Sequence, residues 1–404
     1  MSRVQNKTSM STNRPEFELL LCCASVDKDS ERAARIEALL QKELDWTYLL
    51  RLALPHAMMP LLYWHLRATS SEAVPDGILD QLQSYFHRNH RRNVVLTGQL
   101  LELLGGLRAR EIPAVPYKGP TLAALAYGNL ALREFGDLDI LVHRQDVPRA
   151  NELLISMEYQ PEYVLTPSQE AVFLQYGHQH SFWRDDDFES VVELHWGIME
   201  RYYSFPLDSD YLWSRLERVS LNGKDVLTLS PEDLLLILCV HGCKHLWLRL
   251  AWICDVARLI CVRKEMDWEQ IMEQAARLGS ERMLFLGLYL ASDLLGAELP
   301  EEVSERVQAD PTVEALAGQV YEQLSLWANA SPEGFEIGPF HLFHLRARER
   351  LRDKIRYCVR LATTVNVRDW MFLPLPRYLY PLYHVIRPFR LTRKYVTTLL
   401  KRLL

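Results

Sequence analysis

Apolar residues recur at helical spacing through most of the first hundred residues. Three stretches place them three or four positions apart and so predict amphipathic helices: RIEALLQKEL, WTYLLRLA and ILDQLQSYFHRNHRRNVVLTGQLLELLGGLRARE. The periodicity of the third continues to about Arg110. We therefore predict a helical region over residues 16–110. Residues 1–15 are polar, lack the apolar stretch of a signal peptide, and are predicted to be a disordered tail.

The pattern changes after residue 110. Short extended or alternating runs rich in branched residues predict strands, namely IPAVPYKG, DLDILVH, HQHSFWR and SVVELHW. PTLAALAYG and DVPRANELLISMEY have helical patterns and separate the first three of these runs, and the acidic turn DDDFE joins the last two as a hairpin. The order strand, helix, strand, helix, hairpin predicts a compact α/β unit over residues 111–200.

Beyond Arg201 the chain is predicted to be helical again. Ser230-Pro231-Glu232-Asp233 is a strong helix start, since serine caps, proline suits the first position and acids favour the positive end of the dipole. The apolar run after it continues towards Arg263, and residues 267–330 hold two or three further helices. We predict a helical domain over 201–335 and a basic, aromatic-rich segment over 336–404. The fold class is α+β, mostly helical, with a small mixed sheet between flanking helical regions.

Composition places the chain among ordinary globular proteins. Hydrophobic residues make up 49% and charged residues 24%, and no run of about 18 apolar residues predicts a transmembrane segment. The seven cysteines are odd in number and lie mostly in apolar helical patterns. This usage indicates reduced thiols and a cytoplasmic location.

The net charge of −6 conceals an asymmetry along the chain. Residues 341–404 carry 15 lysines and arginines against three acids, so this end has a charge of +12 and the rest −18. A basic end suggests a polyanion, a membrane surface or the acidic body itself as its partner. Arginine with aromatic residues suits RNA, whereas the same charges with leucine and phenylalanine suit a membrane surface. Composition does not separate these alternatives.

Two carboxylates lie close together in the strand DLDILVH. Asp137 and Asp139 are two positions apart, so they point to the same face of the strand. Neighbouring carboxylates repel unless a cation lies between them, and Mg²⁺ or Mn²⁺ takes oxygen ligands of this kind. Two such ions can hold the attacking and leaving oxygens in phosphoryl transfer. The plain alternative is a solvated strand edge, because Asp-x-Asp alone is common.

Positive groups precede these aspartates. Lys118 and Gly119 end one strand and begin a helix, where backbone N–H groups bind phosphate and a lysine adds a point charge. Pro120 removes one donor from this turn, and Thr121 could supply a hydroxyl instead. Arg133 could neutralise phosphate oxygens or pair with the aspartates.

A third carboxylate lies on the later strand SVVELHW. Alternation puts Glu193 and His195 on one face of that strand. Glu193 could complete a metal site or accept a proton from a nucleophile. His195 has either a structural or a catalytic role, and His178 and His180 on the partner strand are weaker candidates.

The combination of these residues resembles a known family. It comprises Tyr117-Lys118-Gly119, Tyr127, Arg133, Gly136-Asp137-Leu138-Asp139-Ile140-Leu141-Val142 and Glu193-Leu194-His195-Trp196. The pattern resembles the bacterial family of uncharacterised nucleotidyltransferases, within the DNA polymerase β-like superfamily. The likeness covers most of the chain and extends to Asp45-Trp46, His241-x-x-x-His245, Trp252-x-x-Asp255, Asp267-Trp268 and Arg387-Pro388.

The resemblance implies a Mg²⁺-dependent transfer of NMP from an NTP, ATP included, with release of pyrophosphate. Asp137 and Asp139 would hold the metal ions, Glu193 would match the third carboxylate, and Gly119 would lie on the phosphate loop. The superfamily's usual Gly-Ser is Gly119-Pro120 here, which puts the serine contact to phosphate in question.

The resemblance leaves the acceptor of the nucleotide open. It would be a small molecule, a sugar, a peptide or a protein, and less readily RNA. One alternative is an RNA-directed enzyme of the toxin type, which the basic end supports. The other is a catalytically inactive nucleotide-binding scaffold, which the missing serine supports and the retention of three acids opposes.

Histidines are concentrated in the stretch after residue 238. One helical stripe, at spacings of 4, 3, 4 and 3, comprises His241, His245, Leu248, Trp252 and Asp255. Such a stripe predicts a buried polar network between two domains, in which Asp255 fixes the histidines. It could instead contact nucleotide or form a zinc site with a partner elsewhere. Cys239 and Cys243 face away from the stripe and are predicted to be core.

Overall fold

The structure is a computed structural model that describes residues 14–26, 28–326, 342–373, 375 and 377–391. The predicted tail lies almost wholly outside the described residues, as do parts of the predicted basic segment. Five helices precede the sheet: α1 (Pro15–Ala24), α2 (Asp29–Leu40), α3 (Trp46–Ala53), α4 (Met59–Ser70) and α5 (Asp76–Ala109). The 34 residues of α5 pass through Gly105-Gly106 without a break, as the periodicity predicts.

A mixed sheet of five strands follows. Its strands are β1 (Ala114–Pro116), β2 (Asp137–Val142), β3 (Gln160–Pro161), β4 (Gln179–Arg184) and β5 (Ser190–His195), in the order β1-β2-β5-β4-β3. β2 and β5 are parallel, and the other pairs are antiparallel. This small mixed sheet among helices confirms the predicted fold class.

Three helices connect these strands. They are α6 (Gly119–Leu122), which continues into a π-helical turn (Ala123–Tyr127), α7 (Val147–Ser156) and α8 (Pro167–Tyr176). α6 and α7 were predicted, whereas β3 and α8 were not. The signal for α8 is a capping box, in which Thr166 and Gln169 exchange side-chain to backbone hydrogen bonds, followed by Pro167 at the first position.

The prediction that the chain is wholly helical beyond Arg201 is wrong for one stretch. After the short α9 (Ser209–Trp213), β6 (Glu217–Leu221) and β7 (Lys224–Thr228) form an antiparallel hairpin. Its turn is Asn222-Gly223, with positive φ at both residues, and Asn-Gly between alternating residues is a strong hairpin signal. The Thr228 hydroxyl donates to the Pro116 carbonyl over 2.7 Å, which holds the hairpin against β1.

The apolar run after Ser230 forms two helices, α10 (Pro231–Lys244) and α11 (Leu250–Val262). The predicted cap is confirmed, because the Ser230 side chain accepts from the Asp233 N–H. The run breaks where Leu246 and Trp247 adopt positive φ. The fully buried Trp247 ring folds back over Gly242, where a Cβ would lie only 2.5 Å from the indole.

The remaining described helices complete the body. Two or three helices were predicted over residues 267–330. The described part of this stretch contains four: α12 (Trp268–Leu278), α13 (Glu281–Leu295), α14 (Glu301–Gln308) and α15 (Pro311–Leu326). The C-terminal part contains α16 (Leu342–Arg346), α17 (Leu351–Thr363), α18 (Val367–Phe372), a 3₁₀ turn (Arg377–Leu382) and a helix over residues 383–391. Among the residues that the structure describes, none of the helices has the length and apolarity that crossing a bilayer requires.

One hydrophobic core joins these elements. Buried apolar side chains from α1 to α17 form a single contacting cluster. A smaller cluster, built around Val365, Trp370 and Tyr383, packs against Phe173 of α8. All seven cysteines are free thiols, and the predicted core positions of Cys239 and Cys243 are confirmed by their complete burial.

Candidate active site

The register of β2 against β5 brings the predicted carboxylates together. Asp139 lies opposite Glu193, and His195 follows two residues later on the same face of β5. One ligand atom from each of these three residues lies within 4.8 Å of the others. Among the described residues, these three have the spacing of metal ligands. The predicted metal ligands were Asp137, Asp139 and Glu193, so His195 stands where Asp137 was expected.

Asp139 is buried, and only one of its two carboxylate oxygens has hydrogen-bond partners. Its Oδ1 accepts a hydrogen bond from Lys118 Nζ over 3.2 Å and lies 3.2 Å from His195 Nε2. Burial by itself would raise the pKa of Asp139, but the Lys118 charge and the His195 hydrogen bond hold it below its ordinary value. Its Oδ2 is buried and has no hydrogen-bond partner. A buried carboxylate oxygen without a partner is costly, so this atom offers an open ligand position.

His195 lies between two carboxylates. Its Nε2 is 3.2 Å from Asp139 Oδ1 and 3.4 Å from Glu193 Oε2, and its ring lies edge-on to Tyr117 at 5.4 Å. Burial opposes the charged imidazole, but hydrogen bonds to Asp139 and Glu193 outweigh it and raise the pKa of His195. His195 Nε2 is thus the nitrogen that faces both carboxylates, whereas its Nδ1 is buried without a hydrogen-bond partner.

Asp137 lies at the start of β2 and is partly buried. Burial first, and then the charges of Asp139 and Glu193, raise its pKa to about 6. Lys118 and Arg133 lower it, but not enough to cancel these effects. The ionised form of Asp137 is therefore less stable than that of an exposed aspartate, and a bound cation would stabilise it.

The turn that carries Lys118 depends on a glycine. Gly119 has φ +51°, and a Cβ there would lie 3.0 Å from the Asp137 carbonyl oxygen. The Thr121 side chain is buried, and its hydroxyl donates to the Lys118 carbonyl over 2.7 Å. With Pro120 lacking an N–H, Lys118 is the polar side chain that this turn directs to the carboxylates.

Arg133 pairs with a residue far along the chain. Its Nε and Nη2 donate to the two oxygens of Asp255 over 2.8 and 2.9 Å, and the Tyr127 hydroxyl donates to the same carboxylate over 2.7 Å. Arg133 Nη1 is buried and has no hydrogen-bond partner. The alternative in which Arg133 pairs with the Asp-x-Asp carboxylates is therefore corrected, since its ion pair is with α11.

The predicted histidine stripe is rearranged by the break after α10. His241, His245 and Trp252 still meet, with ring centroids 4.6 to 5.4 Å apart. Asp255 does not fix the histidines as predicted, because its hydrogen bonds go to Arg133 and Tyr127. Burial lowers the pKa of His245 to about 3 and that of His241 well below its ordinary value. The three rings form an aromatic cluster, and the charge of Lys118 also lowers the pKa of both histidines.

Two further residues near the site were missed by the sequence analysis. Lys244 Nζ lies 2.7 Å from Glu200 Oε1, and Glu200 Oε2 is buried without a partner. The His178 ring lies 6.2 Å from the His195 ring, and burial lowers the pKa of His178 to about 4. No local pattern joins residues 44 positions apart, so Glu200 and Lys244 carried no signal. His180 is instead packed among aromatic rings and is structural.

Comparison with known proteins identifies the family. The profile of a family described as "Uncharacterised nucleotidyltransferase" matches residues 42–296, more than half of the chain. The chain belongs to this family. The match to the uncharacterised nucleotidyltransferases contains every residue of the site and ends before the basic C-terminal part.

Other comparisons add little. A search of curated proteins found no match. The crystal structure of an antigenic nucleotidyltransferase-like protein from Paracoccidioides brasiliensis is similar at 18% identity, over 52% of this chain and 93% of that chain, with a TM-score of 0.30.

Proposed function

We propose that this chain transfers NMP from an NTP to an acceptor, with release of pyrophosphate and dependence on a divalent metal ion. The observation that carries the proposal is the grouping of Asp137, Asp139 and Glu193 on two adjacent parallel strands beside the Lys118-Gly119 turn. Membership of a nucleotidyltransferase family supports the reaction class.

The donor set fits a divalent cation. Asp139, Glu193 and His195 lie at metal-ligand spacing, Asp137 adds a carboxylate on the same face of β2, and Asp139 Oδ2 is buried without a hydrogen-bond partner. A cation held by these residues would neutralise phosphate charge during the transfer.

The chain's own residues bind the triphosphate and move the proton. Lys118 supplies a charge for the phosphate oxygens, and Arg133 offers Nη1 while Asp255 holds its other nitrogens. The acceptor's oxygen forms a bond to the α-phosphorus, the bond to the α-β bridging oxygen breaks, and pyrophosphate leaves with that electron pair. We assign Glu193, which is partly exposed, to accept the acceptor's proton.

The acceptor is a small molecule, a sugar, a peptide or a protein under this proposal, with RNA the less favoured class.

One observation favours a second candidate function, a nucleotide-binding scaffold without turnover. Pro120 has no hydroxyl and the Thr121 hydroxyl is engaged within its turn, so neither supplies the phosphate contact that a serine would.

The proposal is tested by incubating the purified protein with Mg²⁺ or Mn²⁺ and each α-labelled NTP, with and without cell extract. An Asp137→Asn/Asp139→Asn variant is compared with Asp185→Asn/Asp187→Asn, which removes two equally spaced but exposed aspartates. We expect wild type and the control to transfer label and the site variant not to. Label that moves equally with the site variant contradicts the proposal.

Nucleotide binding by the same proteins separates the two candidates. NTP binding without transfer or pyrophosphate release, in every extract fraction, favours the scaffold. No binding by wild type removes both candidates. Loss of the transferred label on ribonuclease treatment would assign the acceptor to RNA.

A further inference from the structure

Helix α17 presents an apolar stripe to solvent. Leu351, Ile355 and Val359 recur at intervals of four and remain 71%, 54% and 55% exposed. Leucine, isoleucine and valine are usually buried, and a helical stripe of them that none of the described residues covers marks an interaction surface.

Basic residues accompany this stripe along the whole helix. Each of the three apolar residues is followed directly by an arginine: Arg352, Arg356 and Arg360. Arg352 and Arg356 share one acidic partner, Asp353, whose Oδ1 lies 3.8 and 3.4 Å from their guanidinium nitrogens. Burial lowers the pKa of Arg360, and the neighbouring charges of Arg356 and Arg201 lower it further, so three arginines lie close together here.

The opposite face of α17 is fixed to the body of the protein. Asp353, Tyr357 and Leu361 are buried, and the Arg348 guanidinium lies 4.1 Å above the Tyr357 ring. The Tyr357 hydroxyl also lies 3.1 Å from His344 Nδ1. The apolar and basic stripes are therefore held in a defined orientation.

A second exposed stripe lies on the helix over residues 383–391. Val385 and Phe389 are 58% and 73% exposed, and Leu382 just before them is 45% exposed. This helix is tied to the end of α17, since Arg387 Nε donates to the Leu361 carbonyl over 2.9 Å. Two neighbouring helices thus both expose apolar side chains.

We propose that this surface, formed by Leu351, Arg352, Ile355, Arg356, Val359 and Arg360, docks the protein on a membrane that contains anionic lipids. The stripe would enter the boundary between headgroups and acyl chains, and the arginines would contact lipid phosphates. With 13 residues, α17 is too short to span a bilayer of about 30 Å and lies in its plane.

Charge selects this occupant over others. The acidic body is repelled by an anionic surface while the basic end is attracted, so the protein is oriented on it. Single-stranded RNA would need aromatic side chains for base stacking, and the α17 stripe is aliphatic. Symmetric packing of a second copy on this face would oppose like charges.

The test measures co-sedimentation of the full chain with vesicles of phosphatidylcholine alone or with about 30 mol% phosphatidylglycerol. Wild type should bind the anionic vesicles at least about tenfold more tightly, and added salt should weaken binding. Arg352→Gln/Arg356→Gln/Arg360→Gln should weaken it about 100-fold, because each basic residue near an anionic surface contributes roughly fivefold. Leu351→Ser/Ile355→Ser/Val359→Ser should weaken it at least about tenfold.

A matched control removes three apolar residues elsewhere that are 55%, 91% and 56% exposed. Ile155→Ser/Val164→Ser/Val262→Ser should bind vesicles as wild type does. All positions are on the surface, so circular dichroism should show wild-type folding for each variant. The proposal does not depend on the proposed function, and NTP binding should be unchanged in all of them.

Three results would overturn the proposal. One is absence of wild-type binding to the anionic vesicles. Another is binding to labelled RNA that the arginine variant loses and the serine variant keeps, without vesicle binding. The third is a concentration-dependent dimer that the serine variant breaks, again without vesicle binding.

Discussion

Two regions near the site carry ionisable side chains: the strand pair β2–β5 and the helix pair α10–α11. They differ in how far the hydrogen-bonding atoms of their carboxylates have partners within the protein. On the strands, Asp139 keeps one buried oxygen unpartnered and Asp137 has a raised pKa. On α11, Asp255 is bound by both Arg133 and Tyr127.

This difference separates binding residues from supporting residues. A carboxylate whose two oxygens both have partners within the protein, as in Asp255, has no open ligand position. Carboxylates that repel one another and leave an oxygen open gain from a cation. The strands are therefore the candidate site, and α11 is the element that holds Arg133 in place beside it.

The largest expected effect is that of Asp139→Asn. Loss of outer partners of a metal typically costs about 10- to 100-fold, and loss of a direct ligand should cost more, so we expect transfer to fall about 1000-fold or more. The amide has the same shape but removes the charge that pairs with Lys118, so a loss of stability is also expected, and a thermal melt checks that the variant is folded at the assay temperature. Wild-type transfer rates in this variant would contradict the assignment of the strands as the site.

A large loss of stability is expected from Asp255→Asn. Breaking a buried ion pair leaves Arg133 uncompensated, so the free energy of unfolding should fall by about 3–5 kcal/mol. Tyr127→Phe removes a single hydrogen bond to the same carboxylate and should cost about 1 kcal/mol. Urea unfolding of the two variants measures the contrast. Equal losses would show that the pair does not support Arg133.

A smaller effect on metal binding is expected from His195→Gln. Imidazole suits Mn²⁺ better than Mg²⁺, so Mn²⁺ affinity should fall about 10- to 100-fold and Mg²⁺ affinity less. Because the pKa of His195 is raised, a cation competes with its proton, and wild-type affinity should fall as the pH is lowered from 8 to 6. Calorimetric titration measures the Mn²⁺ and Mg²⁺ affinities and their change with pH. If metal affinity in the variant changed with pH as it does in wild type, His195 would not lie at the cation's position.

The smallest expected effect is a gain of stability in Asp137→Asn without metal. The pKa of Asp137 is raised to about 6, so its ionised form destabilises the folded state above that pH. We expect the variant to be about 1–2 kcal/mol more stable than wild type at pH 8. The gain should disappear as the pH falls from about 6 to 4, where both residues are neutral. A variant less stable than wild type at pH 8 would mean that Asp137 is already compensated.

Several elements could be predicted because their signals are local. The alternation in β2 and β5, the period of α5 and the Ser230 cap each depend on residues a few positions apart, and the structure has all of them. The β6–β7 hairpin and the capping box of α8 also have local signals, in Asn222-Gly223 and in Thr166 with Gln169, although neither element was predicted.

Other features had no local signal. The pattern of the apolar run after Ser230 predicts one helix. The helix breaks because the Trp247 ring packs against Gly242 of α10 and Gly287 of α13. Arg133 had Asp137 and Asp139 close by in sequence, yet it pairs with Asp255, 122 residues away. Packing between α11 and the turn before β2 decides that partner.

The sequence by itself determined that Asp137 and Asp139 share one strand face, and that Glu193 and His195 share another. This follows from the two-residue period of any strand and needs no neighbour. Only the tertiary structure decided that Asp139 lies opposite Glu193 and that Lys118 and His195 both contact Asp139 Oδ1. It also decided that Asp139 Oδ2 has no hydrogen-bond partner. Those are distances between segments that meet through packing, and packing depends on the whole core rather than on any one segment.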